Sequence, residues 1–245
     1  MSTTPEGASA PAPGAGRDDL LLLGLLSVLA GLVDVIGFLR LGHVFTAHIT
    51  GNLVVMADEV ANGGPLHVPQ LLSIPVFAIT VAVAYVLVLQ ARASRGRLPL
   101  LVGQAVLLLL VLYFALRANA VGAPTSPELI LAAMLAVAAM AFQNAFIRLS
   151  LQESSTTAVM TGNVATSVIA LAALFWPGPW THQEAVGKLR RTVPLVFGFF
   201  AGCAFGAAAA TRLGPWAWSI PALLALAAIP MGVRIPQPLA PQLGR

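Results

Sequence analysis

Charged side chains are scarce in this chain: only 9% of its 245 residues are Asp, Glu, Lys or Arg, whereas 58% are hydrophobic. Soluble domains carry about 25% charged residues, so a water-soluble fold could not cover its surface with so few. There is one cysteine, Cys203, which excludes an internal disulfide. The net charge is +4, but no basic face with interleaved aromatic residues is present, and we expect no nucleic-acid partner.

Catalytic motifs are missing as well. The sequence has no phosphate-binding loop, serine nucleophile elbow or paired-carboxylate constellation. His43 and His48, with Asp58 and Glu59 nearby, would suit a metal, but a five-residue spacing puts the two histidines on different faces of a helix. We therefore expect no enzyme, no metal and no cofactor, and a membrane enzyme would have to depend on this weak set.

Long apolar runs dominate the sequence, and its mean hydropathy is +0.88. Several runs reach the roughly 20 residues that cross about 30 Å of hydrocarbon. We predict an all-α polytopic membrane bundle in contact with the lipid bilayer, occupying residues 17–234 between two disordered tails, 1–16 and 235–245. Its six spanning helices are expected at residues 20–39, 69–90, 98–116, 129–147, 193–210 and 214–233.

Two further apolar stretches, residues 44–61 and 158–176, raise the question of how many spans there are, and their helical parts are expected at 53–61 and 164–176. With six spans, ten of the 13 Lys and Arg residues lie on the side of the termini and three on the other side, whereas eight spans give seven against six. Basic residues are concentrated on the cytoplasmic side of membrane proteins. We therefore expect six spans with both termini in the cytoplasm, and two half-membrane or re-entrant helices.

The sequence also contains an internal repeat. Thr50-Gly51-Asn52 and Thr161-Gly162-Asn163 each follow the first long apolar run of one half, 111 residues apart. Pro75 and Pro194 are 119 residues apart, and one short insertion reconciles the two offsets. We predict two repeats, about 20–117 and 128–233. Because each has three spans, the second must enter the membrane from the opposite side, which makes the repeat inverted.

The two Thr-Gly-Asn words are the first candidates for a binding site. Polar, helix-breaking residues are costly at membrane depth unless they line a cavity or are buried in protein. Thr and Asn are good helix N-caps, and helix N-termini favour anionic or dipolar groups. We expect the two words to be the walls of one site near the membrane midplane. The alternative is that they are capped turns packed against their neighbours.

Other polar residues in the apolar runs are candidates too. Asp34, in the first helix, would couple an ion or proton, with Arg148 as a partner that the six-span layout places near the opposite face; a hydrated carboxylate at the rim is the alternative. Gln143 and Asn144 suit either substrate hydrogen bonds or contacts between helices. Gly198, Gly202 and Gly206 form a small-residue stripe for packing within the bundle or for a homodimer.

Several of these motifs occur together in one family. Residues 31–38 and 45–52, Phe142-Gln143-Asn144-Ala145 and residues 157–163 resemble the YoaK-like family of bacterial inner-membrane proteins. The resemblance extends over roughly residues 20–233. It implies a polytopic protein of the bacterial inner membrane whose function is unassigned, and it carries over no substrate or catalytic residue.

From these observations we expect a small-molecule transporter. Its substrate would lie between the two Thr-Gly-Asn words, with hydrogen bonds from Gln143 and Asn144 and coupling through Asp34. A passive channel with two re-entrant half-helices is the alternative within transport. A membrane scaffold is the alternative outside it.

Overall fold

The computed structural model describes residues 17–64, 68–90, 98–121, 126–150, 160–176 and 178–234, and the two predicted tails lie outside them. The described residues are almost entirely helical, which confirms the all-α membrane bundle. In chain order the helices are α1 (Arg17–Arg40), α2 (Ile49–Ala61), α3 (Val68–Gln90), α4 (Leu98–Val121), α5 (Pro127–Ser150), α6 (Met160–Ala172), α7 (His182–Leu213), a 3-10 helix (Gly214–Trp218) and α8 (Ser219–Arg234).

The described residues contain five stretches that are long and apolar enough to cross a membrane. The last stretch, His182–Val233, has 52 residues and includes both α7 and α8. As one straight helix it would measure about 78 Å. However, α1 has only 24 residues, about 36 Å, and packs against both α7 and α8. The chain therefore turns between them, at Gly214 with φ 58°, so that α7 and α8 correspond to the fifth and sixth predicted spans.

Both short helices begin four residues earlier than predicted, so that α2 is longer than the predicted 53–61, whereas α6 has the length predicted for 164–176. α2 and α6 each have 13 residues, about 20 Å, which is too short to cross 30 Å of hydrocarbon. They start at Ile49 and Met160, so both Thr-Gly-Asn words lie inside the first helical turn. The expectation that Thr50 or Asn52 caps α2 is wrong, because the N-cap residue is His48.

α7 begins 11 residues before the predicted start at residue 193. Its N-terminus is a capping box, in which the Thr181 hydroxyl accepts from the Glu184 amide at 3.3 Å and Glu184 accepts from the Thr181 amide at 2.7 Å. The signature Thr-x-x-Glu is visible in the sequence. The first turns of α7 carry Lys188, Arg190 and Arg191, so they lie outside the apolar run from which the span was predicted.

The two halves have the same order of helices and the same neighbours. α1 and α5 both have 24 residues, and α2 and α6 both have 13. α2 packs on α3, and likewise α6 on α7; α1 packs on α7, and α5 on α3; α4 packs on α5, and α8 on α1. If α1–α4 are exchanged with α5–α8, each of these six packing contacts becomes another of the six.

The glycine stripe of α7 lies against α1 of the same chain. A Cβ on Gly202 would collide with the Val28 carbonyl, and one on Gly206 would come within 3.2 Å of the Leu32 backbone. Likewise, a Cβ on Gly198 would lie 3.1 Å from the Gly24 carbonyl oxygen. A homodimer through this stripe would have to displace α1, so the stripe is better explained as a contact within the bundle.

Candidate functional site

Asp34 organises the connection between α1 and α2. The residue is buried, with 3% of its surface exposed. Oδ1 accepts hydrogen bonds from the backbone amides of Thr46 and Ala47, both at 2.7 Å, and from the Thr46 hydroxyl at 3.1 Å. Oδ2 lies 2.5 Å from Nδ1 of His48. A buried carboxylate is costly unless it is hydrogen-bonded and paired, and these four contacts meet that requirement.

The backbone turn after α1 brings these groups together. Gly42 and His43 both adopt the left-handed conformation, with φ 74° and 59°, so the chain reverses and passes back along α1. Gly37 makes room for this return, because a Cβ there would lie 2.9 Å from the Thr46 methyl group. The reversal is what allows an acid inside α1 to reach backbone amides 12 and 13 residues further on.

Asn52 of α2 also holds the segment between α1 and α2, next to the residues that Asp34 binds. Its amide oxygen accepts from the Phe45 backbone amide at 2.8 Å, and its amide nitrogen donates to the Phe45 carbonyl at 2.8 Å and to the Ser73 hydroxyl at 2.9 Å. Asn52 thus pairs with Phe45 as a neighbouring strand would, and it also ties α2 to α3. Its hydrogen-bonding groups are used within its own half.

A pocket of about 380 Å³ opens beside the Asp34–His48 pair, within the range of about 300–1,000 Å³ usual for small-molecule sites. Its other lining residues are Val35, Phe38, Leu39, Phe45, Phe199 and Cys203. The His48 ring packs edge-on against Phe199 of α7, with 5.2 Å between ring centroids. The pocket is therefore lined by residues from both halves of the molecule.

His48 lies outside the spanning helices, and its side chain is 33% exposed. The hydrogen bond to the Asp34 carboxylate raises the pKa of His48 above its usual value, despite an opposing effect of burial. In the described part of the chain, no group of three or more His, Cys, Asp and Glu side chains could hold a metal ion.

Arg148 is not the partner of Asp34. It donates from Nε to Oδ1 of Asn144 at 3.0 Å, one turn earlier on α5. The predicted Asp34–Arg148 pairing is wrong. The six-span layout itself places the two residues near opposite faces of the membrane. The partner of Asp34 is His48, 14 residues further along the chain, and no helical period in the sequence links the two.

Gln143 connects three helices. It donates to the Leu26 carbonyl of α1 at 2.9 Å and accepts from Gln104 of α4 at 2.7 Å. Both Gln143 and Gln104 are buried. Of the two readings of the Gln143-Asn144 pair, the observed contacts of Gln143 favour the one in which it holds helices together.

The second Thr-Gly-Asn word is placed like the first but not next to it. Asn163 is buried, while Thr161 and Gly162 are exposed. Ser167 donates to the Asn163 carbonyl at 2.8 Å and to the Thr192 hydroxyl of α7 at 2.7 Å. Throughout the described ranges α2 packs on α3 and α6 on α7, with no contact between α2 and α6. The structure thus does not bring the two Thr-Gly-Asn sequences into contact.

In the first Thr-Gly-Asn sequence, Thr50 is exposed and Gly51 lies against the Phe45 ring.

The bundle, its apolar spans and the buried ionisable pair define an integral membrane protein of several spans. Residues 22–231 match the family model described as "Protein of unknown function (DUF1275)". That is most of the chain, so the chain belongs to this family. A 35-residue segment is 66% identical to the UPF0700 transmembrane protein YoaK of Bacillus subtilis (strain 168), over 14% of this chain and 16% of that relative. No solved structure matches. The predicted YoaK-like relationship is confirmed.

Proposed function

We propose that this protein is a small-molecule transporter of the bacterial inner membrane, with both termini in the cytoplasm, and that the Asp34–His48 pair couples transport to protons. One observation carries the proposal. An acid inside an apolar helix is paired at 2.5 Å with a histidine, and both line a pocket between α1 and α7. Ionisable residues in spanning helices are costly, and they mark ion and proton pathways.

The hydrogen bonds of Asp34 suggest how binding of a proton to the pair could change the position of α2. Asp34 holds the backbone amides of Thr46 and Ala47, which lead directly into α2. When His48 takes up a proton, its hydrogen bond to the ionised Asp34 carboxylate becomes a contact between opposite charges, which is stronger. Protonation of His48 therefore changes the charge beside the carboxylate that holds the start of α2, and the contact of His48 with Phe199 would transmit the change to α7.

Alternating access fits the two-half architecture. We infer that the second half is inverted relative to the first, since each half contributes three long helices and one short helix. The α1–α7 contact joins the halves through small residues, and such a contact suits the rocking of one half on the other. The bias of ten basic residues to three supports the orientation with cytoplasmic termini.

The roles of the two Thr-Gly-Asn words differ within this proposal. Asn52 and Asn163 are buried and anchor the short helices, whereas Thr50, Thr161 and Gly162 are exposed and are the members free to meet a substrate along its path. A passive channel with two re-entrant half-helices is the alternative. The ionisable Asp34–His48 pair in the pocket between α1 and α7 supports a coupled transporter instead.

Proton-coupled flux in liposomes tests the proposal. Purified protein would be reconstituted with a pH-sensitive dye inside, and a panel of metabolites added outside. We expect at least one compound to change the internal pH with wild-type protein, and the change to be lost in Asp34→Asn. Asp58→Asn is the matched control, because Asp58 is exposed on α2 and should be dispensable. Unchanged flux in Asp34→Asn would refute coupling through this residue.

A further inference from the structure

The walls of the Asp34–His48 pocket are aromatic and apolar. Phe38 and Phe45 pack together with 4.9 Å between their ring centroids, and Phe199 closes the side formed by α7. The titratable groups lining the pocket are Asp34 on α1, His48 on the connection to α2 and Cys203 on α7, and no Lys or Arg is among the described lining residues. His43 contacts the other side of this wall, edge-on to Phe38 at 5.0 Å.

The hydrogen bonds fix the charge of the pair. Oδ1 of Asp34 accepts from three donors, which favours the ionised carboxylate. The hydrogen between Oδ2 and His48 must then come from Nδ1 of the histidine, because an ionised carboxylate can only accept. With His48 neutral, the pair carries one negative charge. With His48 protonated, the pair is neutral.

We propose that this pocket binds lipophilic organic cations, and that the cation and a proton compete for the same negative charge of the Asp34–His48 pair. This names the substrate class of the transporter and rests on the transport function proposed for the protein. Aromatic ring faces attract cations, and the carboxylate supplies the counter-charge in an environment of low polarity. An organic cation that displaces the proton from His48 would leave the pocket with the same net charge as before.

Other ligand classes fit the pocket less well. A small inorganic cation prefers several oxygen ligands, and Oδ1 of Asp34 is already used by three donors. An organic anion would meet a carboxylate and three phenylalanines with no cationic side chain among the lining residues. A neutral lipid chain would fill the apolar walls, but it would leave the charge of the pair without a counterpart.

Equilibrium binding of tetraphenylphosphonium to the purified full-length protein in detergent tests this inference. The control ligand is tetraphenylborate, which has the same shape and the opposite charge. At pH 8.5 we expect the phosphonium to bind at least about tenfold more tightly than the borate. Equal binding of the two ions would show that the pocket is merely apolar, as a lipid-chain site would be, and would overturn the inference.

The pH dependence tests the competition with the proton. Wild-type affinity for tetraphenylphosphonium should fall between pH 8.5 and pH 5.5, by about tenfold per pH unit once His48 is protonated. In His48→Asn, whose amide can still donate to Asp34, the affinity should stay high at both pH values. Cys203→Ala should keep the wild-type pH dependence. Persistence of the pH dependence in His48→Asn would overturn the competition.

The aromatic wall is tested by a matched pair of neighbours on α7. Phe199 lines the pocket, whereas Phe200 is exposed and does not. Phe199→Leu should weaken phosphonium binding about two- to thirtyfold, the range of a cation–π contact, and Phe200→Leu should leave it unchanged. Equal effects of the two substitutions would place the ligand elsewhere and refute the site.

The binding assay tests the organic-cation site and the liposome assay tests the transport function, so each proposal can be refuted without the other. If tetraphenylphosphonium binds with the expected charge and pH preference but drives no proton movement in liposomes, the site stands and the transport function falls. If it does not bind, while another compound moves protons in a manner that depends on Asp34, the transport function stands and the organic-cation site falls.

Discussion

α1 and α5 have the same length and the same position in the order of their halves but carry different chemistry near their C-terminal ends. Asp34 and Asn144 occupy the same position counted from the first residue of their helices, α1 and α5, and His48 and Val159 are the residues directly before α2 and α6. Asp34 binds two backbone amides and His48, whereas Asn144 accepts from Arg148 of its own helix. One half thus has an amide where the other has a titratable acid. The order of the helices is the same in both halves, so that order does not by itself demand a charge at this position.

The largest difference between the halves should come from removing the two side chains at this position. Asp34→Leu leaves the buried amides of Thr46 and Ala47 without their acceptor, and we expect a loss of about 3–5 kcal/mol in the free energy of unfolding. Asn144→Leu removes a bond to an exposed arginine and should cost about 1 kcal/mol or less. Unfolding in mixed detergent micelles measures both.

Asp34→Asn sharpens the same comparison, because it gives the first half the residue of the second. An asparagine keeps an acceptor oxygen for the two amides but loses the charge, so its cost should lie well below that of Asp34→Leu. If Asp34→Leu and Asn144→Leu destabilise the protein equally, the two positions are equivalent and the assignment of Asp34 as the special one is refuted.

The next effect concerns the two corresponding contacts between the halves, α1–α7 and α5–α3. The α1–α7 contact depends on Gly202, because a Cβ added there would collide with the Val28 carbonyl. In the α5–α3 contact, Ala84 of α3 and Ala145 of α5 are buried in the same cluster. Gly202→Ala should therefore cost about 1–3 kcal/mol through overpacking. Gly187→Ala is the control on the same helix, because nothing lies within 4 Å of its added Cβ. That control should be neutral or should stabilise by up to about 1 kcal/mol, and an equal loss in both variants would contradict the close contact.

His48→Val also makes the first half resemble the second, and its effect should depend on pH. The folded-state pKa of His48 is raised by the Asp34 carboxylate. A raised pKa means that the protonated histidine stabilises the folded state below about pH 6.5, the unfolded value, and that this stabilisation is lost as the pH rises through the folded value. We expect the melting temperature of wild type to exceed that of His48→Val by about 2–4 °C at pH 5.5, for a contribution near 1 kcal/mol. The gap should narrow at pH 8.5, and a gap that widens with pH would show that the pKa shift has the opposite sign.

Much of the bundle could be predicted from the sequence because hydropathy and length decide which helices cross a membrane. The runs that became α1, α3, α4 and α5 each have the length and the mean hydropathy that a membrane span needs. The short helices were predicted for the same reason, since the polar words interrupt the apolar pattern. The start of α7 was missed because its first turns are charged, and a membrane-length window excludes them, although the capping box at Thr181 marks the start.

The site was only partly predictable. Asp34 stands out because a carboxylate in an apolar run is rare, and the structure places it in a buried pair. Its partner could not be predicted, because His48 reaches it through a left-handed turn at Gly42 and His43, a conformation that hydropathy does not encode. Likewise, Asn52 was expected to face a substrate, but its amide pairs with the Phe45 backbone. Such a local hydrogen bond competes with any ligand for the same groups.

The smallest expected effect tests whether the short helices are docked alike despite the different chemistry beside them. Ser73 of α3 accepts from Asn52 and donates to the Gln70 carbonyl at 2.6 Å, while Ser167 of α6 donates to the Thr192 hydroxyl of α7. Each link joins a short helix to the long helix that carries the repeated proline. Ser73→Ala and Ser167→Ala should each cost about 0.5–1.5 kcal/mol, the usual net contribution of a hydrogen bond. If Ser73→Ala cost several times more than Ser167→Ala, the first short helix would depend on its polar network in a way the second does not. The contrast between Asp34 and Asn144 would then reflect a difference in folding rather than in function.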